Sequence, residues 1–76
     1  EMAKRRIRVN CVAPGFIQTA MTDALPDQVI EQATKAIPMR RMGQPEEIAP
    51  AVRFLCGPGG TYITGQVLVI DGGVSV

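Results

Sequence analysis

The residues best suited to chemistry lie together in Pro14-Gly15-Phe16-Ile17-Gln18-Thr19. Pro14 withholds a backbone N–H, and Gly15 permits a close backbone approach that a side chain would obstruct. Phe16 and Ile17 offer an apolar wall. The Thr19 hydroxyl both donates and accepts a hydrogen bond. A planar, amide-bearing ring would be well served by this set. The chemistry on offer is the holding of a ligand, and no catalytic residue and no metal-ligand spacing is visible in the chain.

Such a segment needs a strand to present it. Ile7, Val9, Cys11, Val12 and Ala13 predict a strand apolar beyond simple alternation, as expected where both faces are covered. In an α/β sheet, ligands sit at the carboxyl ends of strands, which is where Pro14 falls. Downstream, Thr22 or Asp23 is expected to cap a short helix, and Pro26 to open another. Val29, Ala33, Ala36 and Ile37 recur at helical spacing over 27–37, and Pro38 stops that helix.

Pro45-Glu46-Glu47 reads as a helix start, with Pro in the first turn and carboxylates at the positive end of the dipole. Ile48, Val52, Leu55 and Cys56 then share one face, and Gly57-Pro58 ends the helix. Pro50 removes one ladder bond, so a kink or a tightened first turn is expected. Gln66–Ile70 predicts a second buried strand closed by Asp71-Gly72-Gly73. Strand, helices, strand is a βαβ crossover, which makes the two strands parallel.

Composition narrows the classes. The chain has 76 residues and a net charge of +1, which argues against nucleic acid as the main partner. Its apolar runs are too short to span a bilayer, and no secretory leader pattern is present. Cys11 and Cys56 lie in apolar segments and read as reduced core residues of a cytoplasmic protein. A chain this short buries only about 60% of its unfolded surface. Glu1–Arg6 reads as the last turns of a helix already under way. We therefore expect 1–76 to be the carboxyl-terminal part of a single larger domain.

IRVNCVAPGFIQTAMT, PEEIAPAVRFLC and YITGQVLVIDGG, in that order and spacing, resemble the carboxyl-terminal third of the short-chain dehydrogenase/reductases. Within that family the chain is most similar to the reductases of 3-oxoacyl groups carried on acyl carrier protein. The resemblance implies the last two parallel strands and intervening helices of a Rossmann-type, doubly wound α/β sheet. It implies that Pro14, Gly15, Ile17 and Thr19 bind cofactor: the Ile17 backbone meets the nicotinamide carboxamide, the Thr19 hydroxyl holds the amide, and Pro14-Gly15 shapes the turn. It further implies an NADP cofactor, with NAD the alternative, and reduction of a 3-oxoacyl thioester to its 3-hydroxy form in fatty acid biosynthesis. A homotetramer is implied too, assembled partly through Pro45–Cys56 and the final strand.

The family's glycine-rich pyrophosphate turn and its Ser-Tyr-Lys catalytic set are not in this sequence. Tyr62 is not followed four positions later by Lys, since position 66 is Gln. Other readings stay open. The chain could belong to a short-chain dehydrogenase for a sugar, a steroid or a simple alcohol, to an inactive remnant, or to a non-enzymatic module. Thr19 could cap the following helix as well as bind. Lys4, Arg5, Arg6 and Arg8 could dock an acidic carrier protein, although cations at a helix end more often serve its dipole. Arg40 and Arg41 could touch a phosphopantetheine-bearing partner, although a solvated loop is the plainer reading. Met39 and Met42 read as adaptable filler near a substrate cleft, and Asp71-Gly72-Gly73 as a structural turn that could also meet a neighbouring subunit.

Overall fold

Two short strands, β1 (Cys11–Pro14) and β2 (Val67–Ile70), run parallel, with Cys11 opposite Val67 and Pro14 opposite Ile70. They are seen in a computed structural model that describes residues 3–76. β-Branched residues at Val12, Val67, Val69 and Ile70 favour the extended backbone. Between the strands lie α1 (Ala20–Asp23), α2 (Asp27–Lys35) and α3 (Pro45–Cys56), so the parallel pair is closed by a helical crossover. α3 packs on β1.

The first strand is shorter than its apolar pattern predicts. Ahead of Cys11, side chains take over much of the ladder's role. Asn10 donates from Nδ2 to the Ile63 carbonyl (3.0 Å) and accepts the Gln66 N–H at Oδ1 (3.0 Å). The Val9 N–H donates to the Thr64 hydroxyl (3.2 Å). Strand β2 begins one residue later than expected, at Val67. Of the expected helix end at Glu1–Arg6, positions 1 and 2 lie outside the described residues. Ala3–Arg5 is a single 3-10 turn, after which Arg6 adopts φ 61°.

Three helix expectations are refined. The cap of α1 is Thr19, not Thr22 or Asp23. Helix α2 stops at Lys35, and the N–H groups of Ala36 and Ile37 bond three residues back, to Ala33 and Thr34. That tightened turn precedes Pro38, which cannot continue a helix. Helix α3 runs unbroken through Pro50, and its entry is the tight part: the Glu47 N–H donates to the Gln44 carbonyl, three residues back, at 2.8 Å.

Apolar packing is sparse. Among the described residues, Ile37 (4% exposed) and Leu55 (9%) are the buried apolar side chains. Ile37 sits against Gly72, where a Cβ would approach its Cγ2 to 2.8 Å. Val9, Val52, Phe54, Val67, Leu68 and Val69 are exposed. Cys11 and Cys56 are free thiols and both exposed, not core residues. The cause is visible around the sheet: among the described residues α3 reaches β1, while Val67, Leu68 and Val69 of β2 stay exposed. The radius of gyration is 15.4 Å, against about 11 Å for a compact domain of this length.

Candidate functional site

Gly15 carries the chain off the end of β1. Its N–H donates to the Ile70 carbonyl (2.9 Å), extending the ladder one step past Pro14. A Cβ at Gly15 would lie 2.6 Å from the Asp71 Cβ and 2.9 Å from its Cα. No side chain fits there. The Asp71 turn opposite is built by its own carboxylate, which accepts the N–H groups of Gly73 (3.0 Å) and Ser75 (3.1 Å) and the Ser75 hydroxyl (2.7 Å). The Ser75 hydroxyl, helped by those N–H groups, holds the Asp71 carboxyl below the ordinary carboxylate range. Gly72 and Gly73 take positive φ, 66° and 101°. The structural-turn reading of Asp71-Gly72-Gly73 agrees with this geometry.

Two residues on, Ile17 forms a parallel bridge with Gly43. The Gly43 N–H donates to the Phe16 carbonyl and the Gln18 N–H to the Gly43 carbonyl, each at 2.9 Å. In such a bridge the flanking groups make the bonds, so the N–H and C=O of Ile17 itself turn to the other side. Among the described residues neither takes a partner. Thr19 works as a cap: its Oγ accepts the Thr22 N–H (3.3 Å), and its own N–H donates to the Thr22 hydroxyl (2.7 Å). The Thr19 hydroxyl hydrogen is engaged by no described acceptor, and the residue is exposed. Capping therefore leaves its donor available.

The candidates are not gathered in one hollow. Phe16 and Ile17 line a cleft of about 110 Å3 with Met39, Ile48 and Ile70, and Arg41 and Glu47 stand at its wall. Pro14 and Gly15 face a second, open hollow toward Ala33, Ile37 and Val74, which Phe16 also lines. Thr19 lines neither. It is tied to the group through the Phe16–Gln18 backbone.

Several residues shape this region in ways the sequence does not show. Gln18 accepts from Gln44 Nε2 (2.8 Å) and donates to Asp23 (3.2 Å). Glu47 accepts both guanidinium N–H arms of Arg41 (2.7 and 2.9 Å) and the Gln44 N–H (3.0 Å). The Arg41 bonds, and then the Gln44 N–H, pull the Glu47 carboxyl down to about 2. The same pairing raises Arg41 further. Arg41 is thus an ion-pair partner and not a merely solvated loop residue. The capping box does leave a signal: Gln44 and Glu47 stand at its spacing. Arg8 donates to the carbonyls of Leu55 and Gly60, each at 2.6 Å. It serves the end of α3, far from its own segment in sequence.

Two parallel strands joined by a helical crossover, with unpaired main-chain groups on Ile17 beyond the carboxyl end of the first, define an α/β architecture. A family described as enoyl-(acyl carrier protein) reductase matches residues 1–75. A 3-oxoacyl-acyl-carrier-protein reductase of Chlamydia trachomatis is 52% identical over 75 residues, covering 99% of this chain and 30% of that protein. One of the same name from Thermotoga maritima is 51% identical over 76 residues, 100% of this chain and 31% of that protein. A tropinone reductase homolog of Arabidopsis thaliana is 44% identical over 78 residues, 100% of this chain and 24% of that protein. The chain belongs to the short-chain dehydrogenase/reductase family. It spans about 30% of the length of these two 3-oxoacyl-acyl-carrier-protein reductases.

Proposed function

We propose that this chain is the carboxyl-terminal part of an NADP(H)-dependent 3-oxoacyl-acyl-carrier-protein reductase. In this reading it supplies the last two parallel strands of a doubly wound sheet and the segment that holds the nicotinamide end of the cofactor. The observation that carries it is the pair of unpartnered main-chain groups on Ile17, beside a Thr19 hydroxyl oxygen with a lone pair to spare. A carboxamide offers one acceptor oxygen and two N–H donors. The Ile17 N–H can donate to that oxygen, and the Ile17 carbonyl can accept one amide N–H. The Thr19 oxygen, which keeps a lone pair beyond the Thr22 bond, can accept the other, so the residues fit the group.

When bound, the nicotinamide supplies the hydride. This chain's part is to bind and orient it: Gly15 lets the strand end approach the Asp71 turn, and Phe16 and Ile17 wall the ring from water. The substrate is a 3-oxoacyl thioester on acyl carrier protein, a choice supported by the names of relatives at about half identity across nearly the whole chain. Among the described residues no helix is long and apolar enough to cross a membrane. A cytoplasmic homotetramer completes the proposal, with the open apolar faces of β2 and α3 as surfaces for the rest of the domain and for neighbouring subunits.

The test is made on the complete gene product. NADPH oxidation driven by a 3-oxoacyl thioester is the expected result. Turnover only of a sugar, steroid or simple alcohol would transfer the chain to another branch of the family. Failure to bind any nicotinamide cofactor would overturn the reading.

A further inference from the structure

The cofactor segment is not self-supporting. Its backbone is clamped to Gly43 on both sides of Ile17, and the Gln18 side chain is tied to Gln44 Nε2 at 2.8 Å. Gly43 and Gln44 belong to the link entering α3, and their position depends on Glu47. That carboxylate accepts the Gln44 N–H (3.0 Å), while the Glu47 N–H closes on the Gln44 carbonyl (2.8 Å). Arg41 grips the same carboxylate with both arms and also donates to the Met42 carbonyl (3.2 Å). Residues 41–44 are thereby folded back onto the first turn of α3. Gly43 adds a steric condition, since a Cβ there would meet Ile17 Cδ1 at 2.8 Å.

We infer that Glu47, with Arg41 and Gln44, forms a positioning latch that fixes the Ile17 main chain for the nicotinamide end of the cofactor. The inference rests on the function proposed above and adds residues to which that reading gives no role. An exposed ion pair contributes little to global stability, and Arg41 and Glu47 keep 49% and 43% of their side-chain surface. Their geometry is nevertheless bidentate, and it converges on one short link. Losing the latch should displace the segment without unfolding the protein.

The experiment compares two ligands on the complete gene product: the intact nicotinamide dinucleotide, and the matching ADP-ribose (2′-phosphorylated for NADP), which lacks only the nicotinamide. Glu47→Gln should weaken the dinucleotide three- to tenfold and leave ADP-ribose unchanged. Arg41→Lys, which keeps the charge but loses the fork, should lie between. Gln44→Met is the second variant, expected to act in the same direction. If Thr19→Val changes the ratio of the two affinities while Glu47→Gln and Gln44→Met do not, the latch is overturned and the cofactor segment stands. If none changes it, the segment reading falls and the latch with it. Equal losses for both ligands would mark the pair as generally structural, which also overturns the inference.

Discussion

The junction of Phe16–Thr19 with Arg41–Glu47 and the sheet made by β1 and β2 are held by opposite means. At the junction, polar groups find partners within the chain: a two-sided backbone bridge, a glutamine tie, a capping box and a bidentate ion pair. In the sheet the backbone is paired, but the apolar side chains lack cover, with Val67 64% exposed. Hydrogen bonding is short-range in space and directional, so two segments brought together can satisfy it without a large buried surface. Hydrophobic stabilisation scales with area removed from water, and this chain has few surfaces to remove it against. Geometry of the ligand segment is therefore fixed by pairing between segments of this chain, whereas the apolar faces of the sheet are left open.

The largest effect that would break this contrast concerns the 76-residue chain by itself. Its circular dichroism should show no cooperative thermal transition, because the two apolar side chains buried among the described residues do not make a core. A sharp two-state melt from a monomer would mean that the sheet needs no further cover. Next comes the hinge between the two regions. Gly15→Ala in the complete gene product forces a Cβ against the Asp71 backbone, and overpacking of this kind costs about 1–3 kcal/mol. Urea denaturation should record that loss. An unchanged midpoint would mean that the Asp71 turn yields freely.

A third change sharpens the ligand half of the comparison. Thr19→Val removes the hydroxyl and should weaken cofactor binding by about 1–3 kcal/mol where the carboxamide is left unpaired. It also removes the cap of α1, worth about 1 kcal/mol of helix stability. Thr19→Ser restores both roles and serves as the control. Cofactor affinity equal to that of the unaltered protein in Thr19→Val would remove Thr19 from the contact set.

Much of the order of elements was legible in the sequence, because it follows from periodicity and breakers. β-Branched runs gave both strands, Pro45 and Gly57 bracketed α3, and the parallel pairing followed from the crossover. The boundaries were less legible. Asn10 and Thr64 replace backbone partners with side chains, and nothing in the apolar pattern records that substitution. The cysteines were misplaced because composition reports what a residue prefers, and exposure depends on what lies opposite. At the site, Gly15 and Ile17 owe their importance to backbone geometry that only the long-range pairing with Ile70, Asp71 and Gly43 creates. Arg41 and Glu47 were each visible as charges, but their union requires the link at Gly43 to fold back, and that fold is tertiary.

The smallest expected effect is electrostatic and tests the junction alone. Glu47 titrates near 2 in the folded chain, against an ordinary value of 4.5, because Arg41 and the Gln44 N–H favour the carboxylate. A carboxyl depressed by folding contributes stability that is fully present above its unfolded value and is lost as pH falls through its folded value. The contribution of this pair is therefore intact at neutral pH and declines between about 4.5 and 2. Being exposed, it is also weakened by salt. Carbon-detected NMR of the Glu47 carboxyl in the complete gene product should give a midpoint near 2, moving back toward 4.5 in Arg41→Met. A midpoint that stays near 4.5 in the unaltered protein would mean that the two side chains do not meet in solution, and the junction would then rest on its backbone bridge alone.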